Sequence, residues 1–158
     1  MANTQSMCTS FLGELMTATH NFGASPTRAG STADTFKAAL YLASATVNAS
    51  TTAYSSTGEV TGTNYTAGGV SITNATAPAS TNSSVTAGVG YWTPSANIVY
   101  TTVTLSTAFD TVLVYNSTQS NKAVSVHTFG SQTITAGTFT LTMPSNTTST
   151  ALLRLSTT

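Results

Sequence analysis

The sequence predicts a mainly β protein, an antiparallel β-sandwich or barrel with one short N-terminal helix. Three observations predict this class. Apolar residues alternate with the β-branched residue Thr along much of the chain, which is typical of strands. Turn-forming residues recur at short spacings through the second half. The N-terminal residues carry instead an apolar stripe of helical period.

The chain of 158 residues has the length of a single domain. We expect residues 1–158 to form that one domain, with residues 1–22 as an N-terminal helical arm. Residues 22–33 contain Gly, Pro and several Ser or Thr and are predicted to be a loop. Residues 34–158 then form the β-domain, with a long loop near residues 74–88.

The helix is predicted over residues 4–21. Phe11 and Leu15 lie four residues apart in its apolar stripe, so they share one face. Thr4 or Ser6 is expected to cap its first turn. Such an amphipathic terminal helix packs on the sheet or docks on a neighbouring molecule.

Strands are predicted at residues 35–42 and 70–73 in the first half of the chain, and a short one follows at residues 89–92. Residues 34–43 are also compatible with a helix because Ala and Leu are good helix formers, but the alternation favours a strand. Residues 46–63 are expected to be irregular, with a turn or bulge following at Gly68 and Gly69.

Strands of the second half are predicted at residues 98–105, 109–115, 123–129, 132–135, 138–143 and 151–155. The almost continuous apolar run at 109–115 indicates a central strand. Turns are expected at residues 116–121, at Gly130-Ser131 and at Ala136-Gly137.

The composition excludes several classes of partner. Charged residues make up only 5% of the chain, four basic and four acidic, whereas about a quarter is usual. Arg28, Lys37, Lys122 and Arg154 are dispersed, so neither nucleic acid nor a membrane surface is expected as a partner. A surface of hydroxyl groups suits contact with other protein copies, because few charges need to be desolvated. Without an evident signal peptide or apolar span, we expect a soluble chain made in a cytoplasm.

The chain has few groups for catalysis. Asp110 and His127 fall on strands predicted to be adjacent, so a triad with one of the many serines is conceivable, but no G-x-S-x-G pattern supports it. His20 and His127 have no second ligand nearby in sequence, and Cys8 stands alone on the helix, where we expect it to be half-buried. We therefore expect no enzyme activity, no metal and no cofactor.

Three stretches in order carry a family resemblance. They are residues 34–41 (DTFKAALY), 58–69 (GEVTGTNYTAGG) and 109–118 (FDTVLVYNST), continuing to 122–124 (KAV) and 129–130 (FG). With the short helix before them, they resemble small virion structural proteins of tailed bacteriophages. The resemblance covers most of the chain and contains no catalytic motif.

The resemblance implies a component of the phage particle. The leading expectation is a capsid cement or decoration protein, made in the host cytoplasm and located on the capsid surface of the virion. Its partners would be the major capsid protein and copies of itself, as a homo-oligomer (trimer or dimer). A minor tail or neck component is the alternative within the same particle.

Candidate contact residues are Phe11 and Leu15 on the helix, together with the aromatic pair Tyr91 and Trp92 and the loop at 74–88. An exposed aromatic pair also allows a different class of function, a carbohydrate-binding module. A buried pair that fills the core or a subunit seam is the stronger interpretation of Tyr91 and Trp92.

Overall fold

The computed structural model describes residues 2–23, 32–74, 77–81 and 88–157. In that part of the chain, the strands form two antiparallel sheets beside one helix. The mainly β, sandwich-like class with one short N-terminal helix is confirmed, and the sheets are not closed into a barrel. The elements are β1 (Ser6–Met7), α1 (Thr9–Met16), β2 (Phe36–Leu42), β3 (Val70–Ser71), β4 (Ala79–Ser80), β5 (Val89–Trp92), β6 (Ile98–Asn116), β7 (Lys122–Leu141) and β8 (Leu153–Ser156).

The larger sheet has the strand order β1-β7-β6-β2-β3 and supplies most of the core. Its centre is a hairpin in which β6 and β7 span 19 and 20 residues. Leu113 of β6 pairs with Val126 of β7 and Ala39 of β2, and all three side chains are fully buried. The apolar run at residues 109–115 therefore lies at the centre of the sheet, as predicted.

The smaller sheet has the order β4-β5-β8 and is joined to the larger one through aromatic rings. Trp92 of β5 lies with its ring centroid 4.8 Å from that of Phe22 and 6.1 Å from that of Phe36 on β2. Phe22 also stacks on Phe36 with a centroid distance of 4.3 Å. These contacts bury the inner side of β5 against the larger sheet.

Two of the predicted turns are wrong, because Gly130-Ser131 and Ala136-Gly137 lie inside β7. Between the pairs Thr111↔Thr128 and Phe109↔Gln132, β7 advances four residues while β6 advances two. Ala136 has a φ of 47° where the register shifts again. Gly130-Ser131 and Ala136-Gly137 lie at β-bulges, where β7 has more residues than the facing part of β6. The separate strands predicted on either side of them therefore form one continuous strand.

The helix is shorter than the predicted span of residues 4–21. Ser6 and Met7 instead pair with β7, and the Cys8 backbone N–H donates to the Val124 carbonyl over 3.0 Å. Cys8, in an extended conformation, is the N-cap residue without a side-chain capping bond, and it is fully buried rather than half-buried. Pairing with the sheet thus replaces the first helical turns, and the predicted caps Thr4 and Ser6 do not act as caps.

The first-half strands are placed as predicted, with adjusted ends. The segment predicted as a strand at 35–42 is β2 (Phe36–Leu42) and not a helix, while the strand predicted at 70–73 is only β3 (Val70–Ser71). Gly69, at a φ of 69°, makes the expected turn, and a Cβ there would collide with the Ala38 carbonyl. The loop predicted at 74–88 contains β4, and its residues 75–76 and 82–87 lie outside the described residues, as do residues 24–31 of the earlier loop.

A buried carboxylate joins the irregular excursion at residues 46–63 to the chain that follows it. Glu59 is 6% exposed, and its carboxylate accepts hydrogen bonds from the hydroxyls of Tyr54 and Tyr65, over 2.6 and 2.7 Å. The backbone N–H of Gly68 donates to the same carboxylate over 2.8 Å. One side chain thereby fixes three points of the polar segment before β3.

Further tyrosines continue this cluster into the sheet. The Tyr100 hydroxyl donates to the Ala38 carbonyl and the Tyr115 hydroxyl donates to the Gly68 carbonyl, each over 2.8 Å. Burial, together with the nearby Glu59 charge, raises the pKa of Tyr115 to about 12. These hydroxyls therefore remain protonated donors at neutral pH.

We predict that Glu59→Ala lowers the free energy of unfolding by about 2–4 kcal/mol, because two tyrosine hydroxyls and a backbone N–H lose their acceptor in a buried site. Tyr65→Phe removes a single donor and should cost about 1 kcal/mol. Urea denaturation followed by circular dichroism measures the stability of both variants. Thr57→Ala, at an exposed position, is the control. Equal stability of Glu59→Ala and Thr57→Ala would contradict this role of the carboxylate.

Candidate interaction surface

Three of the four predicted contact residues meet at one surface depression. Phe11, Tyr91 and Trp92 line an apolar groove of about 140 Å³. We call it the aromatic groove; its other lining residues are Phe22, Pro78, Ala79, Gly90, Leu153 and Leu155. The groove lies where α1 and the chain after it meet the smaller sheet.

The floor of the aromatic groove is part of the core. Phe11 and Trp92 are only 2% and 3% exposed. The Phe11 ring packs edge-on against Phe22, with a centroid distance of 5.8 Å. The predicted contact residues Phe11 and Trp92 therefore have little exposed surface that a partner could contact.

The rim of the aromatic groove is more accessible. Leu155 is 43% exposed and Tyr91 is half-buried. In the β5–β8 register, Leu155 lies opposite Gly90, which has no side chain to cover Leu155 on that face of the sheet. A partner would bury new apolar area on Leu155, which shares the Trp92 face of the smaller sheet, and on Tyr91, which borders the groove from the opposite face beside Arg154.

The fourth predicted contact residue, Leu15, is half-buried and packs against the core instead of lining the aromatic groove. The outer side of α1 exposes different residues, with Leu12 46% and Met16 86% exposed. These two are one helical turn apart and form a small apolar patch. Their exposure depends on how α1 rotates against the sheet, which helical periodicity alone does not determine. The interface role of all four residues stays a prediction.

The acidic side chains of the chain are all turned to internal hydrogen bonds. The Asp34 carboxylate, for example, accepts from the Asn21 backbone N–H over 2.8 Å and from the Asn116 side-chain amide over 2.7 Å. The Gln119 amide donates to its other oxygen over 3.1 Å. These bonds tie the start of β2 to the β6–β7 turn and remove the charge from the outer surface.

His20 connects α1 to the same network. Asn116 donates from Nδ2 to His20 Nδ1 over 3.0 Å, so the ring proton lies on Nε2 and is donated to Glu14 over 2.8 Å. Lys122 donates to the second Glu14 oxygen over 2.7 Å. Burial opposes the charge of Glu14, but the hydrogen bonds from Lys122 and His20 outweigh it and lower the pKa of this carboxyl.

The conceivable catalytic triad is not assembled. Asp110 and His127 do lie on adjacent strands, but the Asp110 carboxylate accepts from Asn3 and Thr111, each over 2.7 Å. His127 Nε2 is instead 2.9 Å from the Ser125 hydroxyl. Ser125 is only 1% exposed, so its oxygen is closed to a substrate.

Other chemistry has little support in the described parts of the chain. Within residues 2–23, 32–74, 77–81 and 88–157, no three His, Cys, Asp or Glu side chains converge as a metal-binding group. No helix among these residues has the length and hydrophobicity to cross a membrane. Of the dispersed basic residues, Arg28 lies outside the described residues.

Comparison of the chain with protein-family models, with curated protein sequences and with solved structures finds no match in any of the three. The interpretation of the surface therefore depends on its own geometry and composition.

We predict that His127 makes stability fall on acidification. Burial lowers the pKa of His127 from 6.5 to about 4. Between these values the unfolded chain binds a proton that the folded chain excludes, so acid favours unfolding. Relative to His127→Gln, which cannot titrate, the wild type should lose roughly 2–4 kcal/mol of unfolding free energy from neutral pH to pH 4.

Chemical denaturation of both proteins at several pH values measures this difference. Groups common to both, such as Glu14, cancel in the comparison. A constant difference in stability between wild type and variant across this pH range would show that His127 takes up its proton without resistance from the fold.

Proposed function

We propose that this chain is a structural protein of a bacteriophage virion, specifically a capsid cement or decoration protein that binds the lattice of the major capsid protein. The observation that carries the proposal is a nearly uncharged surface with an apolar groove. Its four carboxylates make internal hydrogen bonds, while Tyr91 and Leu155 stand at the rim of the aromatic groove. The resemblance of residues 34–41, 58–69 and 109–118 to small phage virion proteins supports the same role.

The proposed mechanism is mechanical. Each copy bridges capsid subunits by burying apolar side chains, each of which contributes about 1.5–3 kcal/mol when fully covered. Contacts between copies, as a dimer or trimer, let several weak sites act together, so that avidity replaces a strong single contact. No ionic complementarity is required of the partner, because few charges have to be desolvated.

The aromatic pair gives less support to carbohydrate binding. A sugar ring stacks on an open aromatic face, whereas the Trp92 ring lies against Phe22 and Phe36 and is 3% exposed. Trp92 therefore acts in the core. A minor tail or neck protein would have the same surface chemistry, and only its number of copies distinguishes it from a cement protein.

We expect quantitative mass spectrometry of purified virions to find this protein in a simple ratio to the major capsid protein, on the order of hundreds of copies, as multivalent coverage of a lattice requires. A handful of copies per particle would assign it to the tail or neck. Its absence from purified virions would contradict the proposed function.

We also predict that Tyr91→Ser and Leu155→Ser each weaken binding to purified capsids by about tenfold, because each removes apolar area worth more than 1 kcal/mol at the groove rim. Val99→Ser is the matched control, since Val99 is 38% exposed on β6 and is not part of the groove. Met16→Ser tests the outer side of α1 in the same way. These point variants are preferable to removal of the N-terminal arm, because Cys8 and Phe11 belong to the core.

Co-sedimentation with capsids measures the affinities, and circular dichroism verifies that each variant is folded. Loss of binding in Met16→Ser alone would move the contact from the aromatic groove to α1. Wild-type affinity in all three surface variants would exclude both surfaces.

A further inference from the structure

A separate apolar cavity of about 140 Å³ opens between the β6–β7 hairpin and the chain leading to β8. Its walls are mainly apolar, whereas the rest of the surface is rich in hydroxyl groups. The apolar wall residues include Ile98, Val112, Val114, Leu141, Met143 and Leu152. An apolar cavity of about this size holds a molecule of roughly one aromatic ring.

Phe129, Thr128, Thr142 and His127 complete the lining, and the imidazole of His127 is the ionisable group among them. Its Nε2 forms a hydrogen bond of 2.9 Å with the Ser125 hydroxyl. Its Nδ1 has no hydrogen-bond partner within the described residues. Burial keeps the pKa of His127 low, so the ring is neutral at neutral pH and either nitrogen can carry the single proton.

The second ring nitrogen limits the chemistry of an occupant. If Ser125 donates to Nε2, then Nδ1 carries the proton and can donate to an occupant; if Ser125 accepts, Nδ1 can accept from one. A hydroxyl group satisfies either arrangement, because it donates and accepts. An ionic group is excluded, because the apolar walls offer no counter-charge.

We propose that this cavity binds a small aromatic alcohol, of the phenol class, with its ring against the apolar walls and its hydroxyl on His127 Nδ1. Predominantly apolar walls with a few placed polar groups are the general character of small-molecule sites. The site does not depend on the proposed virion role, because none of the residues that form it lies in the aromatic groove.

The test is titration of isotope-labelled protein with phenol and, separately, with benzene, followed by NMR near pH 7. Phenol is expected to shift the amide signals of the cavity residues saturably and to move the His127 Nδ1 resonance. Benzene should shift the same amides without moving that resonance. Lack of saturable phenol shifts in the millimolar range would overturn the proposal.

Two variants test the hydrogen bond and the cavity volume separately. The double variant His127→Leu with Ser125→Ala removes the polar group without leaving a buried hydroxyl unpaired; it should weaken phenol binding by about tenfold and leave benzene binding within about threefold. Leu152→Phe should fill the cavity and abolish binding of both. Equal phenol affinity in wild type and the double variant would refute the role of His127. If the double variant does not fold, the Nδ1 resonance of the wild type decides the same question.

Discussion

The fold depends on four carboxylates that act as internal hydrogen-bond acceptors. Three of them join segments that are distant in sequence, as Asp34 joins the start of β2 to the β6–β7 turn, while Glu59 closes its own segment onto Gly68 before β3. The irregular segment also buries Val47 and Val60 and bonds to the sheet through its backbone, and the carboxylates add to these contacts. Since charge-assisted hydrogen bonds are about twice as strong as neutral ones, a few acidic residues suffice to order long polar stretches.

The same arrangement determines the character of the surface. A carboxylate that accepts two or three internal hydrogen bonds no longer contributes a solvated charge, so hydroxyl and apolar groups dominate what a partner meets. This links the internal network to the proposed function: Tyr91 and Leu155 can be buried without also burying a neighbouring acid. Arg154, which pairs with Tyr91 across the strands, turns its guanidinium to the Ser149 carbonyl.

Strands that follow from local periodicity could be predicted from the sequence. Features that depend on contacts between distant residues could not. Strands β2 and β5 follow from alternation, and the fold class follows from the sum of such segments. The helix was overextended because the pairing of Ser6 with Val126 involves residues far apart in the chain. The Gly130-Ser131 turn was wrong because turn and bulge use the same residues, and only the partner strand distinguishes them. Nor does a local pattern indicate that Tyr54 and Tyr65 donate to Glu59 or that Tyr100 and Tyr115 of β6 join the same cluster.

The two apolar depressions select partners in different ways. The aromatic groove is lined mainly by apolar groups, so it discriminates mainly by shape and buried area, and a large partner surface is needed to give it specificity. The cavity at His127 opens to the surface and has His127, Thr128 and Thr142 among its lining residues, so it offers an occupant placed polar groups. A hydrogen bond to His127 Nδ1 favours an occupant that carries a hydroxyl group over one of the same shape that lacks it. A partner protein at the groove and a small ring in the cavity can therefore be bound by one chain without competing for the same residues.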